Sequence, residues 1–330
     1  MNSTYSSAGV NISEGEKFVE LIKPLVKTTF TKHVYSGIGN FGAFFQMPKG
    51  YKNPVFVAST DGVGTKIKIA VDICKFDTVG EDIVNHCVND IAVCGASPLF
   101  FLDYLAFGKL TSSIAVDIVK GMTRGCKNNN CSLIGGETAE MPGLYAEKDF
   151  DLAGTIFGVV EKNKIIDRKN VRKGDVLIGL QSNGLHTNGY SLARKVFNNE
   201  FNKYYNDLGS TIGKELLKVH KSYLNIIQGL TKKFKIHSLS HITGGGIIGN
   251  TKRVVPKNLN IKIDWDSWER NPVFDIIQKK GVIDEEEMRN VFNLGIGLIV
   301  IVSKKDADSV TRYLKSKKEN YKIIGEITGK

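Results

Sequence analysis

The segment Pro54-Val55-Phe56-Val57-Ala58-Ser59-Thr60-Asp61-Gly62-Val63-Gly64-Thr65-Lys66 decides how the first half of the chain is organised. Its mostly apolar opening, Pro54 to Ser59, reads as a strand, and Thr60 to Lys66 reads as the loop that ends it. An acidic residue leaving a strand can hold a magnesium ion, which prefers carboxylate and phosphate oxygens. Gly62 and Gly64 let backbone N–H groups approach a phosphate closely, while Thr65 and Lys66 add a hydroxyl and a cation. The bland alternative is an ordinary glycine turn with a chance Lys. No G-x-x-x-x-G-K-[ST] occurs anywhere in the chain, so a P-loop is excluded.

Working outward, strand-like and helix-like segments alternate. Ile83, Val84, Cys87, Val88, Ile91 and Cys94 fall at helical spacing, which predicts a helix over Glu81–Ala96 with one side buried. Asp90 then lies at the edge of the apolar stripe and Asn89 on the opposite side. A half-buried carboxylate needs a partner, either a cation or a hydrogen-bond donor. Further expectations are strands at Leu99–Phe107, Cys131–Ile134 and Asp151–Glu161, with a helix at Ser112–Cys126. The charged stretch Lys162–Lys173 reads as a linker. Beyond it, strands are expected at Val176–Leu180, Leu259–Ile263, Gly297–Val302 and Ile323–Ile327. Helices are expected at Tyr190–Phe197, Leu216–Lys232, Asn271–Lys280 and Lys304–Ser316. The fold class is therefore α/β, in two domains whose glycine loops gather at element ends, where such proteins place ligands.

Four more segments carry chemistry. Gly37-Ile38-Gly39-Asn40-Phe41-Gly42 matches G-x-G-x-x-G, but Pro48, Gly50 and Pro54 follow too soon for the helix that a dinucleotide site needs. It reads as a glycine loop able to close over phosphates. Gly135-Gly136-Glu137-Thr138 follows a buried strand and permits close ligand approach. Ser182-Asn183-Gly184-Leu185-His186-Thr187-Asn188-Gly189 is dense in donors and acceptors, which suits a hydroxylated, phosphorylated ligand. His241-Ile242-Thr243-Gly244-Gly245-Gly246 offers a phosphate cradle beside a histidine that can serve as acid, base or phosphate ligand.

Composition bounds the rest. The 330 residues are 42% hydrophobic, enough for a real core and more consistent with two domains than one. Lys and Arg number 45 against 34 Asp and Glu, a formal charge of +11. The lysines are dispersed, which reads as a solvated surface and a pull on phosphorylated small molecules rather than as a nucleic-acid site. Five cysteines without a Cys-x-x-Cys pair indicate neither a disulfide framework nor a zinc knuckle, and Cys87 and Cys94 read as core. The apolar run at Leu298–Val302 falls far short of the about 18 residues of a membrane span. Met1–Tyr5 lacks the features of a signal peptide, so the expectation is a soluble, cytoplasmic protein without membrane or nucleic-acid partners.

Taken together, Asp61–Lys66, Cys87-Val88-Asn89-Asp90, Phe100-Phe101-Leu102-Asp103-Tyr104, Gly135–Gly143, Ser182–Arg194 and His241–Gly246 occur in the order and spacing of one family. The chain closely resembles the phosphoribosylformylglycinamidine cyclo-ligases, the aminoimidazole ribonucleotide synthetases of purine biosynthesis, over nearly its whole length. The resemblance implies a two-domain synthetase fold of the α/β (α+β) class. Residues 1–168 would form an ATP-binding and dimerisation domain that contributes strands to a barrel at a homodimer interface. Residues 169–330 would form a C-terminal α/β domain. It also implies an ATP-dependent ring closure of formylglycinamidine ribonucleotide.

The same resemblance assigns residues. Asp61 and Asp90 would be Mg2+ ligands to the ATP phosphates, with Gly62, Gly64, Thr65 and Lys66 beside them. Asp77 matches a nucleotide-contacting acid of the related selenophosphate synthetases. Gly39 to Gly42 would be a flexible loop over the nucleotide, and Gly135, Gly136 and Glu137 a nucleotide-contacting segment supplied by the partner subunit. Asn183, His186 and Asn188 would lie on the substrate side, with Thr243, Gly244 and Gly245 near its phosphate. His241 and Lys66 stand as the catalytic candidates. Sister enzymes share the scaffold. A selenophosphate synthetase usually carries a reactive Cys near the N-terminal glycine loop, whereas the first cysteine here is Cys74. A thiamine phosphate kinase lacks the Ser182–Gly189 block.

Overall fold

A computed structural model describes residues 8–198 and 200–330. The reading of Met1–Tyr5 falls outside them. The chain divides into two compact units: residues up to Val88 with Ser97–Glu161, and Asn89–Ala96 with Lys162–Lys330.

The first unit contains helix α1 (Ile12–Lys27), strand β1 (Pro54–Gly62), α2 (Lys66–Asp72), most of α3 (Asp77–Ala92), β2 (Ser97–Phe107), α4 (Ser112–Asn128), β3 (Ser132–Glu140) and β4 (Phe150–Glu161). Its sheet has the order β1-β4-β2-β3. β4 runs antiparallel to β1 and β2, and β3 runs parallel to β2. Helices α3 and α4 meet backbone to backbone. A Cβ on Gly80 would lie 1.9 Å from the Ile118 carbonyl oxygen, and one on Gly121 would lie 1.8 Å from that of Asp77. Only glycine permits that approach.

One sheet face is packed and the other is open. Gly154 faces Phe101 and Ile83, and Leu152 and Ile156 are buried on the same side. In the opposite register stand Phe56, Ala58 and Thr60 on β1, Thr155 and Phe157 on β4, and Phe100, Leu102 and Tyr104 on β2. Phe100 and Phe157 stack at 4.9 Å, yet Phe56 remains 65% exposed.

The second unit comprises β5 (Val176–Gln181), α5 (Tyr190–Phe197), the short pair β6 (Tyr204–Tyr205) and β7 (Ser210–Thr211), α6 (Ile212–Leu216) and α7 (Leu224–Lys233). It continues through β8 (Ser238–His241), α8 (Gly246–Arg253), β9 (Leu259–Ile263), α9 (Pro272–Gly281), α10 (Glu285–Val291), β10 (Ile296–Val302), α11 (Lys304–Ser316) and β11 (Tyr321–Gly329). Its main sheet, β8-β10-β5-β11-β9, is antiparallel throughout. Every residue of β10 is buried, so both faces of this inner strand are covered. Leu177, Ile299, Ile301, Ile324 and Ile327 from the sheet pack with Ile247 and Trp268 into one core.

Several local expectations change. The helix expected at Glu81–Ala96 starts at Asp77 and ends at Ala92, where Gly95 takes a positive φ and Ala96 N–H bonds the Ile91 carbonyl, a glycine C-cap. It is buried on all sides from Thr78 to Asn89, so Asn89 does not face solvent. The single helix expected at Leu216–Lys232 is instead two helices, α6 and α7. Asn89 holds the connection between them, donating to the Lys221 carbonyl at 2.8 Å and accepting from Tyr223 N–H at 2.8 Å. The strand expected at Cys131–Ile134 runs on through Gly135–Glu140 as β3, because parallel pairing with Leu102–Phe107 supplies its backbone hydrogen bonds.

Candidate active site

In the first unit β1 runs on through Gly62 and turns at Val63–Thr65 into α2. Gly64 has φ +67°, the left-handed conformation this turn requires. Asp61 closes the strand with one carboxylate oxygen accepting from Gly62 N–H at 2.7 Å and the other 2.9 Å from His86 Nε2. Its side chain remains 40% exposed. A carboxylate oxygen is the hard donor that magnesium prefers. The donor set therefore fits one carboxylate's share of a magnesium site.

Lys66 does not join that surface. Its side chain is fully buried and its ammonium lies 2.7 Å from the equally buried Asp82. Burial pushes the amine below its ordinary pKa, and the Asp82 charge opposes that shift. Asp77, at the start of α3, is held below the usual carboxylate range by Lys75 and Arg124, against burial, the largest influence, which pushes it up.

Gly39, Gly42, Gly135, Gly136 and Glu137 line one cavity of about 650 Å³. No helix opens at Gly37–Gly42, in keeping with a glycine loop rather than a dinucleotide fingerprint. The back wall of the cavity is apolar, from α1, α4 and β3.

In the second unit a hydrogen-bonded chain of side chains replaces the lone histidine of the sequence. Asp90 Oδ1 lies 2.8 Å from His241 Nδ1, and His241 Nε2 lies 2.9 Å from His220 Nε2. His220 Nδ1 is 3.3 Å from the Thr187 hydroxyl. His186 stacks on His220 at 4.0 Å, and its Nε2 accepts from Asn183 N–H at 3.2 Å. That bond leaves Nε2 unprotonated and puts the ring proton on Nδ1. His186 sits at φ +63° and is buried, so its ring orders the 182–189 turn and supports His220. Asp90 keeps 29% of its side chain exposed.

Beside this chain, α8 starts at Gly246 without a side-chain cap, its first-turn N–H groups following Gly244 and Gly245. A Cβ on Gly246 would sit 2.0 Å from the Arg289 carbonyl oxygen. Asn250 secures the turn by donating to the Thr243, Gly244 and Gly246 carbonyls. Asn188 Oδ1 approaches Gly244, and its buried Nδ2 lacks a hydrogen-bond partner among the described residues. An uncapped helix N-terminus with an orphan donor beside it suits an anion. Sequence reasoning missed His86, His220 and Asp82; a single histidine or acid in an apolar stretch carries no pattern until the fold gives it a neighbour.

The fold is shared with solved structures of low sequence identity. A thiamine-monophosphate kinase structure from Stenotrophomonas maltophilia superposes with a TM-score of 0.70 over 94% of each chain at 16% identity. A hydrogenase maturation protein HypE in complex with ATP superposes at 0.66 over 97% of this chain and 88% of that one, at 15% identity. Residues 42–160 match the AIR synthase related protein N-terminal domain, and residues 172–330 match its C-terminal domain. The phosphoribosylformylglycinamidine cyclo-ligase of Thermoanaerobacter pseudethanolicus is 52% identical over 98% of this chain and 97% of its own length. The chain belongs to the AIR synthase family, on its phosphoribosylformylglycinamidine cyclo-ligase branch.

Proposed function

We propose that the chain is an ATP-dependent cyclo-ligase that closes formylglycinamidine ribonucleotide to aminoimidazole ribonucleotide in purine biosynthesis. The observation that carries this reading is 52% identity, over almost the whole length of both chains, to a protein of that name. An amide oxygen is a poor leaving group and a phosphoryl oxygen a good one. ATP therefore phosphorylates the formyl amide oxygen, releasing ADP. An amidine nitrogen of the same molecule attacks the activated carbon, and the oxygen departs within phosphate. Because the attack is intramolecular, the protein's work is positioning and neutralisation of phosphoryl charge.

The site residues take these roles. Asp61 and Asp90 are assigned to the magnesium that accompanies ATP by the likeness of their motifs to the family's, each being a hard carboxylate donor. Bound magnesium supplies charge neutralisation at the phosphates. Gly62, Gly64 and Thr65 present backbone and hydroxyl groups at the same turn. Gly39, Gly42 and Gly135–Glu137 surround the nucleotide in the cavity they share, and Asp77 is assigned a nucleotide contact by its likeness to the related selenophosphate synthetases, although it does not line that cavity. Asn183 and Asn188 contact the substrate, and Thr243–Gly245 with the α8 N-terminus receive its phosphate. His241, oriented by Asp90 and backed by His220, is the group that moves protons during ring closure. Lys66, committed to Asp82, is a positioning residue for the turn rather than a catalytic one.

The open face carrying Phe56, Phe100, Phe157 and Tyr104 supports a homodimer in which these strands meet those of a second copy. The domain limits 1–168 and 169–330 remain our reading of the sequence, whereas the compact units divide at Glu161/Lys162 apart from Asn89–Ala96. Among the described residues no helix is long and apolar enough to cross a membrane, and a cytoplasmic location fits the pathway. The test is ADP release from ATP and magnesium with and without formylglycinamidine ribonucleotide. Release that requires the substrate supports the reading; release that ignores it points to a sister kinase on the same fold.

A further inference from the structure

The second unit has a cavity of about 530 Å³ lined by no residue of the candidate active site. Trp268 and Ile296 give it an apolar floor. Gly179 of β5 keeps that floor open, since a Cβ there would press on Ile324 Cδ1 at 3.0 Å and on Ile296 Cδ1 at 3.1 Å. Gln181 and Asn320, also on the wall, are joined amide to amide at 2.9 Å. Whichever way both amides are turned, the pair keeps one donor and one acceptor edge to offer. Lys315, in the last turn of α11, and Lys322, in register with Gly179 at the start of β11, bring two cations to the rim. Glu319 between them is engaged by Lys221 at 2.7 Å, so the wall carries two lysines against Glu269 alone.

An apolar floor, an amide pair and a cationic rim answer the three parts of a mononucleotide: a flat base, its polar edge and a phosphate. We infer that this cavity is a second, non-catalytic site that binds a purine 5′-mononucleotide. The base lies against Trp268 and Ile296 with its edge on Gln181 and Asn320. The ribose hydroxyls donate to Glu269, and Lys315 and Lys322 hold the phosphate. Two strand ends join the cavity to the substrate side. Gln181 runs directly into the 182–189 turn, and Gly295, on the cavity wall, accepts from Ser182 N–H at 2.9 Å. Asn293, two residues before Gly295, accepts from the Ser182 hydroxyl at 3.1 Å and donates to the Gly184 carbonyl at 2.8 Å. An occupant that orders Gln181 and Gly295 therefore alters the affinity for substrate. That consequence rests on the cyclo-ligase reading above, whereas the binding site itself does not.

The experiment titrates AMP into the full chain while a non-hydrolysable ATP analogue, magnesium and formylglycinamidine ribonucleotide are held at saturation, and reads tryptophan fluorescence. The two tryptophans of the chain, Trp265 and Trp268, both belong to the second unit, with ring centroids 5.7 Å apart, so the signal reports this unit. AMP should change the fluorescence saturably, and adenosine or ribose 5-phosphate, each lacking one part, should bind about tenfold more weakly or worse. K315A/K322A, which alters two exposed side chains, should weaken AMP by about tenfold and keep turnover without AMP within about twofold of wild type. AMP should shift the KM for formylglycinamidine ribonucleotide by at least about twofold in wild type and not in the double variant. No fluorescence change, ribose 5-phosphate binding as tight as AMP, or undiminished AMP binding in K315A/K322A overturns the site; an unshifted KM overturns its coupling to the substrate side. Wild type that binds AMP in this way but never turns over formylglycinamidine ribonucleotide overturns the cyclo-ligase reading and leaves the site standing.

Discussion

The Nε2 atoms of His220 and His241 lie 2.9 Å apart, so one ring must present a lone pair where the other presents its proton. Asp90 fixes the far side of His241 at 2.8 Å and thereby sets which nitrogen of that ring carries hydrogen. His241 thus has one side tied to a carboxylate and the other to a second ring through which a proton can pass. Replacing His241 with Ala should lower turnover by about a hundredfold, the scale of a positioned acid or base, while ATP binding persists. His220→Phe keeps the stack on His186 and removes the bond, so it should reduce turnover by roughly tenfold. Steady-state turnover beside calorimetric ATP binding checks both; unchanged turnover in H241A removes it from the mechanism.

Asp61→Asn preserves shape at the end of β1 but removes a charge from the phosphate side of the turn. Turnover should fall by at least about a hundredfold, because developing phosphoryl charge loses its electrostatic partner. The melting temperature should stay close to wild type, since Asp61 is 40% exposed. Full turnover at saturating magnesium would contradict its role.

The Lys66–Asp82 pair is buried completely on both sides. Lys66→Met leaves an uncompensated charge in the core and should cost about 3 kcal/mol of stability in urea denaturation. The double variant K66M/D82L should regain most of that loss, because no buried charge remains. If K66M is as stable as wild type but inactive, Lys66 acts chemically after all.

How much of this was legible beforehand can be argued from particular residues. Helix α5 and strand β9 fall where their periodicity and flanks placed them, at Tyr190–Phe197 and Leu259–Ile263. Helix α1 was not anticipated. Phe18, Ile22 and Val26 do recur at every fourth position, but Pro24 interrupts the pattern as a breaker would. The break between α6 and α7 was invisible because Asn89 imposes it from more than a hundred residues away. The glycine motifs were conspicuous as site material. Their partners were not: Asp82 for Lys66, His86 for Asp61 and His220 for His241 are single residues whose meaning is spatial. Long motifs survive as sequence, whereas paired side chains exist only once the chain is folded.

Gly121 stands at the contact of α3 and α4, where an added Cβ would meet the Asp77 carbonyl oxygen at 1.8 Å. Gly121→Ala must push the helices apart and should destabilise the first unit by about 1–3 kcal/mol, despite the better helix propensity of Ala. Urea denaturation read by circular dichroism checks this, and a neutral effect would mean that the helices are less tightly apposed.

Glu285 is bonded by Arg270, Gln278 and Arg289, and its pKa is lowered to about 2, chiefly by the hydrogen bond from Arg270. A depressed carboxylate contributes stability that is fully present above its unfolded value of 4.5 and is lost as pH falls through the folded value. Wild type should therefore lose stability relative to E285Q between about pH 4.5 and about pH 2, while the two should run parallel above pH 5. Melting temperature against pH measures it; parallel curves down to pH 2 would remove the ion pair from the stability account.

The central claim is that the amide oxygen of the substrate is activated by phosphorylation before the ring closes. It is tested most directly by running the reaction with formylglycinamidine ribonucleotide labelled with heavy oxygen in its formyl group, then weighing the products. The account predicts that the label appears in inorganic phosphate, in amounts equal to ADP, and that the ring product has lost one water's mass. Label released into water, with unlabelled phosphate, would contradict it.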